Sequence, residues 1–169
     1  GTTGLTDATQ DRVRKTAEHV AICWAANTSL GVNLLALLVE QAAKALDPSF
    51  DIEVVEIHHN KKVDAPSGTA LMLGEAAAKG RQQNLSEVAC YARDGHVGAR
   101  PDGEIGFATL RGGDVAGEHT VMLVGEQERI ELTHRATSRS IFAAGAVKGA
   151  LWLPGQPAGL YTMRNVLGL

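Results

Sequence analysis

Residues 51–57, "DIEVVEI", put Ile52 and Val54 on one face of a strand and Val55 and Ile57 on the other. Side chains alternate along a strand, so both faces of this one need cover, which an interior strand of a sheet receives. The chain that follows, "HHNKKVDAPSGTA", cannot simply extend it. If the strand ran straight on, His58 and His59 would point to opposite faces. They can serve one site only if the strand ends or bends there, and Asn60 is suited to that turn. Pro66 then leads into Ser67-Gly68-Thr69 at the head of an alanine-rich helix, residues 68–79, closed by Gly80. A central strand, a basic loop and a helix start are thereby joined within a few residues.

The rest of the chain supplies the neighbours such a strand requires. Thr6 reads as the cap of a helix running to about His19, and residues 20–26, "VAICWAA", as a short strand buried on both faces. Asn27-Thr28-Ser29 brings turn and cap chemistry. Residues 30–46 form the clearest helix, with Leu34, Leu38, Ala42 and Leu46 as its stripe, Leu35 widening it, and Glu40 four residues before Lys44. Short strands are predicted over 88–92, 105–111, 119–124 and 129–135, the last two as a hairpin, with a glycine-rich loop over 94–104. Ser138 is expected to cap a last helix through about Leu153, and the apolar tail is expected to pack. Strand–helix pieces at both ends and a mainly antiparallel block between them predict an α+β domain flanked by parts of an α/β unit.

Composition narrows the function classes. With 44% hydrophobic and 21% charged residues the chain can build a packed core. A net charge of -3 excludes a general nucleic-acid binder, and 4% aromatics leave little to stack bases on. The two cysteines, Cys23 and Cys90, lack zinc-type spacing and are read as reduced thiols of a cytosolic enzyme. No apolar run reaches membrane-spanning length. The chain opens on Gly1 without a methionine or a targeting signal, and is read as beginning inside a longer protein.

Positive charge must therefore be local, and it is concentrated at His58, His59, Lys61 and Lys62. A helix N-terminus offers unpaired N–H groups and a partial positive charge. Gly68 leaves room for a ligand to approach the backbone, and Thr69 adds a hydroxyl. A small carboxylate ligand suits this better than a polyanion. Histidine can donate a proton near neutral pH, while lysine can hold a carboxylate. Simpler roles compete: Lys61 as a solvated loop residue, Ser67 as a helix cap, a lone histidine as structural. A triad of Ser67, His58 and Asp64 lacks a nucleophile-elbow pattern, and a metal site there lacks ligand spacing, so none is assigned. No G-x-G-x-x-G follows a strand.

"HHNKKVDAPSGTA" closely resembles the signature of the 4-hydroxy-tetrahydrodipicolinate reductase family. "AANTSLGVN" from Ala25, "IGFATLRGGDVAGEHT" from Ile105, "THRATSR" from Thr133 and Gly1-Thr2-Thr3-Gly4 resemble its other segments, in order along the chain. The resemblance implies the end of a Rossmann-like nucleotide domain over 1–29, a substrate and oligomerisation domain with an open mixed sheet over 30–137, and a helix and tail over 138–169 returning to the nucleotide domain. It implies reduction of a cyclic dicarboxylate by NADH or NADPH, in a cytoplasmic homotetramer assembled through the open sheet.

By the same resemblance His58 is the proton donor and Lys62 the second catalytic residue. His59, Gly68 and Thr69 bind substrate carboxylates. Gly1, Thr2, Thr3, Ala25, Ala26, Asn27 and Thr28 line the nicotinamide side of the cofactor. Three departures stand out: Thr28 replaces an aromatic found in many members, Asn60 and Lys61 replace a basic–histidine pair, and the family's phosphate loop has no counterpart in this sequence. The competing readings are a non-catalytic assembly module and a carboxylate-binding domain of another oxidoreductase. From the missing loop we expect the isolated chain to bind NADPH weakly or not at all. A titration giving micromolar affinity would contradict this.

Overall fold

The computed structural model describes residues 4–169, so Gly1, Thr2 and Thr3, expected to contact the cofactor, lie outside the described residues. Helix α1 (Asp7–Ala17) starts at Thr6, whose hydroxyl accepts from the Thr9 amide as an N-cap should. After β1 (Ala21–Cys23) comes α2 (Leu30–Ala45), where Ser29 Oγ accepts from Val32 N–H at 3.3 Å. β2 (Asp51–His58) precedes α3 (Gly68–Gly80), capped by Ser67, whose Oγ accepts from Ala70 N–H. Then follow α4 (Leu85–Val88), β3 (Ala89–Cys90), β4 (Ile105–Arg111), β5 (Gly117–Val124) and β6 (Arg129–Ala136). The chain closes with α5 (Ser140–Trp152), β7 (Gly159–Tyr161) and α6 (Met163–Leu167).

The chain divides into two compact units, one built from residues up to Leu34 together with Ser138–Leu169, the other from Leu35–Thr137. In the first, β1 pairs in parallel with β7, matching Ala21 to Gly159 and Cys23 to Tyr161. The tail does pack: Met163 and Val166 are buried. The strand expected over 20–26, covered on both faces, is shorter. Only Ala21–Cys23 are strand and all three are half-buried, because β7 is the one partner of β1 among the described residues. The last helix begins two residues after the expected cap, with Ser138 Oγ accepting from Ser140 N–H in the turn before it.

The second unit is a five-stranded mixed sheet in the order β3-β4-β2-β5-β6. β2 sits at its centre, parallel to β4 on one edge and antiparallel to β5 on the other. One face carries the core. Ile52 and Val54 of β2, Ile105 and Phe107 of β4, and Val121 and Leu123 of β5 pack with Leu73 and Ala77 of α3 and Val39 and Ala43 of α2. Each large side chain buried this way stabilises the fold by roughly 1.5–3 kcal/mol before the entropy of ordering is counted. The other face stays open, with Val55, Ile57 and Met122 half-buried and Leu110 exposed.

Two expectations for this unit need correction. The buried stripe of α2 is Val32, Leu35, Ala36, Val39 and Ala43, whereas Leu34 and Leu38 are 43% and 46% exposed. The helix is apolar nearly all round, so packing rather than pattern chooses the face, and it chooses the smaller side chains. Likewise the strand predicted over 88–92 is a helical turn followed by only two strand residues, because Leu85 reaches the core from α4. Glu40, four residues before Lys44, forms an ion pair with Lys79 of α3 at 2.8 Å.

The small face of α2 allows a close approach to α3 at Gly80. A Cβ there would lie 2.5 Å from the Glu40 carbonyl oxygen and 2.8 Å from Ala43 Cβ. Neither atom can rotate away. Gly80→Ala should therefore destabilise the chain by about 1–2 kcal/mol, overpacking outweighing the gain of up to ~1 kcal/mol in helix propensity. A urea midpoint shifted down at unchanged slope is the expected measurement; an unshifted midpoint would show that the helices separate freely.

Candidate active site

β2 delivers its chemistry by alternation. The face that buries Ile52 and Val54 next buries Glu56 and then His58, where the strand ends. The chain turns at once. His59 N–H donates to the Val115 carbonyl at 2.8 Å and Asn60 N–H to the Gly113 carbonyl at 3.2 Å. Lys62 lies half-buried in the loop and its ammonium pairs with Asp64 at 2.8 Å.

Sheet register then brings in residues far away in sequence. Glu56 stands beside His119 of β5, and His58 beside Arg111 of β4. The Arg111 guanidinium holds Glu56 through both terminal nitrogens at 3.2 Å and also donates to the Asp64 carbonyl at 2.7 Å. Glu56 Oε2 is hydrogen-bonded to His58 Nδ1, and Glu56 Oε1 accepts from the Ser67 amide at 2.8 Å. One buried carboxylate thus links the end of β2 to the head of α3. Ser67 Oγ is paired with His119 Nε2 at 3.1 Å, and the His119 ring stands edge-on to His58 with centroids 5.0 Å apart.

At the helix head, the Ser67 amide goes to Glu56, the Ala70 amide to Ser67 Oγ and the Leu71 amide to the Ser67 carbonyl. Gly68 is exposed, with open space where a Cβ would stand, and Thr69 beside it is half-buried. The start of α3 is thus a backbone-lined surface at the positive end of a helix, beside the strand end that carries His58.

Electrostatics follow from the packing. Burial pushes the Glu56 carboxyl up, but Arg111, the Ser67 amide and His58 outweigh it and hold it below the usual range. Burial lowers the His58 pKa, with Lys62 and Arg111 adding to the effect, while Glu56 opposes them. His119 is pushed down to about 4, chiefly by burial and then by His58. Glu56, His58 and His119 are donor types that a metal ion also uses, and their atoms lie within 4.8 Å of one another. Arg111 already neutralises Glu56, and with Lys62 nearby a further cation would meet two positive groups, so we assign no metal to them.

The first unit holds the remaining candidates at the C-terminal end of β1. Thr28 donates its hydroxyl to the Phe142 carbonyl at 2.7 Å, and Asn27 Oδ1 accepts from Ser29 N–H at 2.8 Å. The Thr28 carbonyl lies so close to Gly145 that a Cβ there would come within 1.8 Å of it. These side chains brace the loop. Ala25 and Ala26 and the backbone remain as small surfaces at the end of a parallel strand, where α/β folds place their ligands.

Known proteins align with this arrangement. The family model described as "Dihydrodipicolinate reductase, C-terminus" matches residues 31–167. The chain belongs to that family. It is 61% identical over 169 residues to the 4-hydroxy-tetrahydrodipicolinate reductase of Methylocella silvestris, and 55% identical to that of Acinetobacter baumannii strain AYE. Both alignments cover 100% of this chain and 62% of the relative, so the chain spans about three-fifths of the length of the curated relatives it matches. Among solved structures it is similar to a dipicolinate-bound dihydrodipicolinate reductase from Paenisporosarcina sp. TG-14, with a TM-score of 0.73 at 25% identity, over 96% of this chain and 61% of that one.

Sequence reading missed Glu56, Arg111 and His119. The alternation that buries His58 also buries Glu56 two residues earlier, and that signal was available. Arg111 and His119 join only through strand register. His119 yields a stability test. Its imidazole is neutral in the fold down to about pH 4, against an unfolded value of 6.5. The unfolded chain therefore binds more protons between those values. Its contribution is fully present above pH 6.5 and is lost as pH falls toward 4. In His119→Gln, urea unfolding free energy should fall less steeply across that window, by on the order of 3 kcal/mol in total. A slope equal to that of the unaltered chain would show that His119 is not desolvated.

Proposed function

We propose that this chain supplies the substrate-binding part of a reductase that converts 4-hydroxy-tetrahydrodipicolinate to tetrahydrodipicolinate with NADH or NADPH, in lysine and diaminopimelate biosynthesis. The observation that carries the reading is the joining of the His58 strand end to the open head of α3 through Glu56. The names of relatives at 55–61% identity support the reaction, and the dipicolinate held by the Paenisporosarcina enzyme supports a cyclic dicarboxylate as ligand. Residues 30–137 form the substrate and oligomerisation domain in this proposal, and the open sheet face with Val55, Ile57 and Leu110 is the surface of a cytoplasmic homotetramer.

The roles follow from the chemistry. One substrate carboxylate rests at the α3 head against the Gly68 amide and the Thr69 hydroxyl. Lys62 and His59 take the other carboxylate and the ring. Bound NADH or NADPH supplies the hydride, with the loop of Ala25, Ala26, Asn27 and Thr28 against the nicotinamide. His58 supplies the proton that completes the addition. In the ligand-free chain burial disfavours the imidazolium. A dianion bound beside it favours protonation, so the acid is charged when it is needed.

In the protein at its natural length, His58→Gln should lower kcat by about 100-fold or more with KM changed little, in the range for loss of a general acid. Lys62→Ala should lower kcat and also raise KM, because it removes charge that holds the ligand as well as charge that polarises it. Steady-state kinetics with the dicarboxylate substrate decide the matter. A His58→Gln enzyme with unaltered kcat removes the proton-donor role, and absence of any turnover in the unsubstituted protein favours a non-catalytic carboxylate-binding module.

A further inference from the structure

Glu56 is 1% exposed. Burying a carboxylate is costly unless it is neutralised and hydrogen-bonded, and the two-nitrogen grip of Arg111 meets that need. Yet the carboxylate also reaches His58 Nδ1, on the side of the ring away from Gly117. The opposite nitrogen, Nε2, faces Gly117 so closely that a Cβ there would lie 2.8 Å from it. Gly117, at φ 149 in a conformation other residues rarely adopt, places no side chain against that nitrogen.

We propose that Glu56 is the positioning residue of His58: it keeps a proton on Nδ1, aims Nε2 past Gly117, and as an ionised carboxylate stabilises the imidazolium before the proton leaves. This rests on the reading of His58 as proton donor. Water leaves the 4-hydroxy compound to give the unsaturated ring that accepts the hydride. In the step that follows, the Nε2–H bond breaks and a C–H bond forms at the ring carbon holding the electron pair left by hydride addition. The ring ends neutral with its Nδ1–H still bonded to Glu56, which stays a carboxylate, and solvent returns the proton to Nε2. The same carboxylate grips the Ser67 amide, so donor and carboxylate cradle are held in one frame.

The charged and titratable groups around His58 pull in opposite senses. Glu56, on its own strand, favours the imidazolium. Arg111 from β4 and Lys62 from the following loop oppose it, Lys62 being partly offset by Asp64. His119 from β5 is neutral at working pH, with His134 of β6 beyond it.

The test is the pH dependence of kcat/KM in the natural-length protein, which falls as pH rises through the free-enzyme pKa of the donor. Glu56→Gln keeps the shape and removes the charge. The break should move to lower pH by at least one unit, costing about tenfold at pH 8. Arg111→Gln should move it to higher pH. Glu56→Asp should keep the break near its original place while kcat drops. A Glu56→Gln enzyme that loses rate equally at all pH values, or Gln variants at both positions that shift the break the same way, would overturn the proposal. Should Glu56→Gln not fold, the Arg111→Gln shift decides alone, and its absence is fatal. NMR titration of the His58 ring in Glu56→Gln separates the two readings. If His58→Gln retains full kcat the donor reading fails, whereas an unmoved His58 titration refutes the hold of Glu56 whichever residue donates.

Discussion

The pairing of Glu56 with Arg111 is the interaction on which the rest of this site depends. A carboxylate set among the core residues of a sheet face would be strongly unfavourable alone, and a guanidinium bound through both terminal nitrogens removes most of that penalty. The neutralised carboxylate then has oxygen lone pairs left for His58 and the Ser67 amide. Arg111 also holds the Asp64 carbonyl, so the loop between β2 and α3 is tied to the same group. Strand end, loop and helix head are fixed relative to one another by one charge pair and three hydrogen bonds.

Register turns that local chemistry into a site. Because β2 is the middle strand, its buried face is flanked by β4 on one side and β5 on the other. A slip of one residue against β4 would take Arg111 to the wrong face, and a slip against β5 would do the same to His119. The apolar residues earlier on the same strands, Val54 beside Phe107 and Val121, guard against such slips, since each would have to leave the core. Core packing at one end of the sheet therefore specifies chemistry at the other.

Much of this was legible in the sequence, for local reasons. Thr6 and Ser67 cap the helices they were expected to cap, because capping depends on a few consecutive residues. The central strand followed from apolar residues on both faces. His58, Lys62, Gly68 and Thr69 drew attention as a dense polar cluster before a helix. Arg111 and His119 were not legible, since their place beside Glu56 and His58 exists only once three strands are paired. The buried face of α2 was misread at Leu34 and Leu38 because its pattern admits more than one face, and the choice lies with Gly80 across the contact.

The double-edged bonding of β2 has a mechanical consequence. A strand hydrogen-bonded along both sides cannot shift without breaking two ladders, so the imidazole at its end sits on an anvil rather than a hinge. A rigid strand beneath His58 passes that immobility to the Glu56 carboxylate and, through it, to the head of α3.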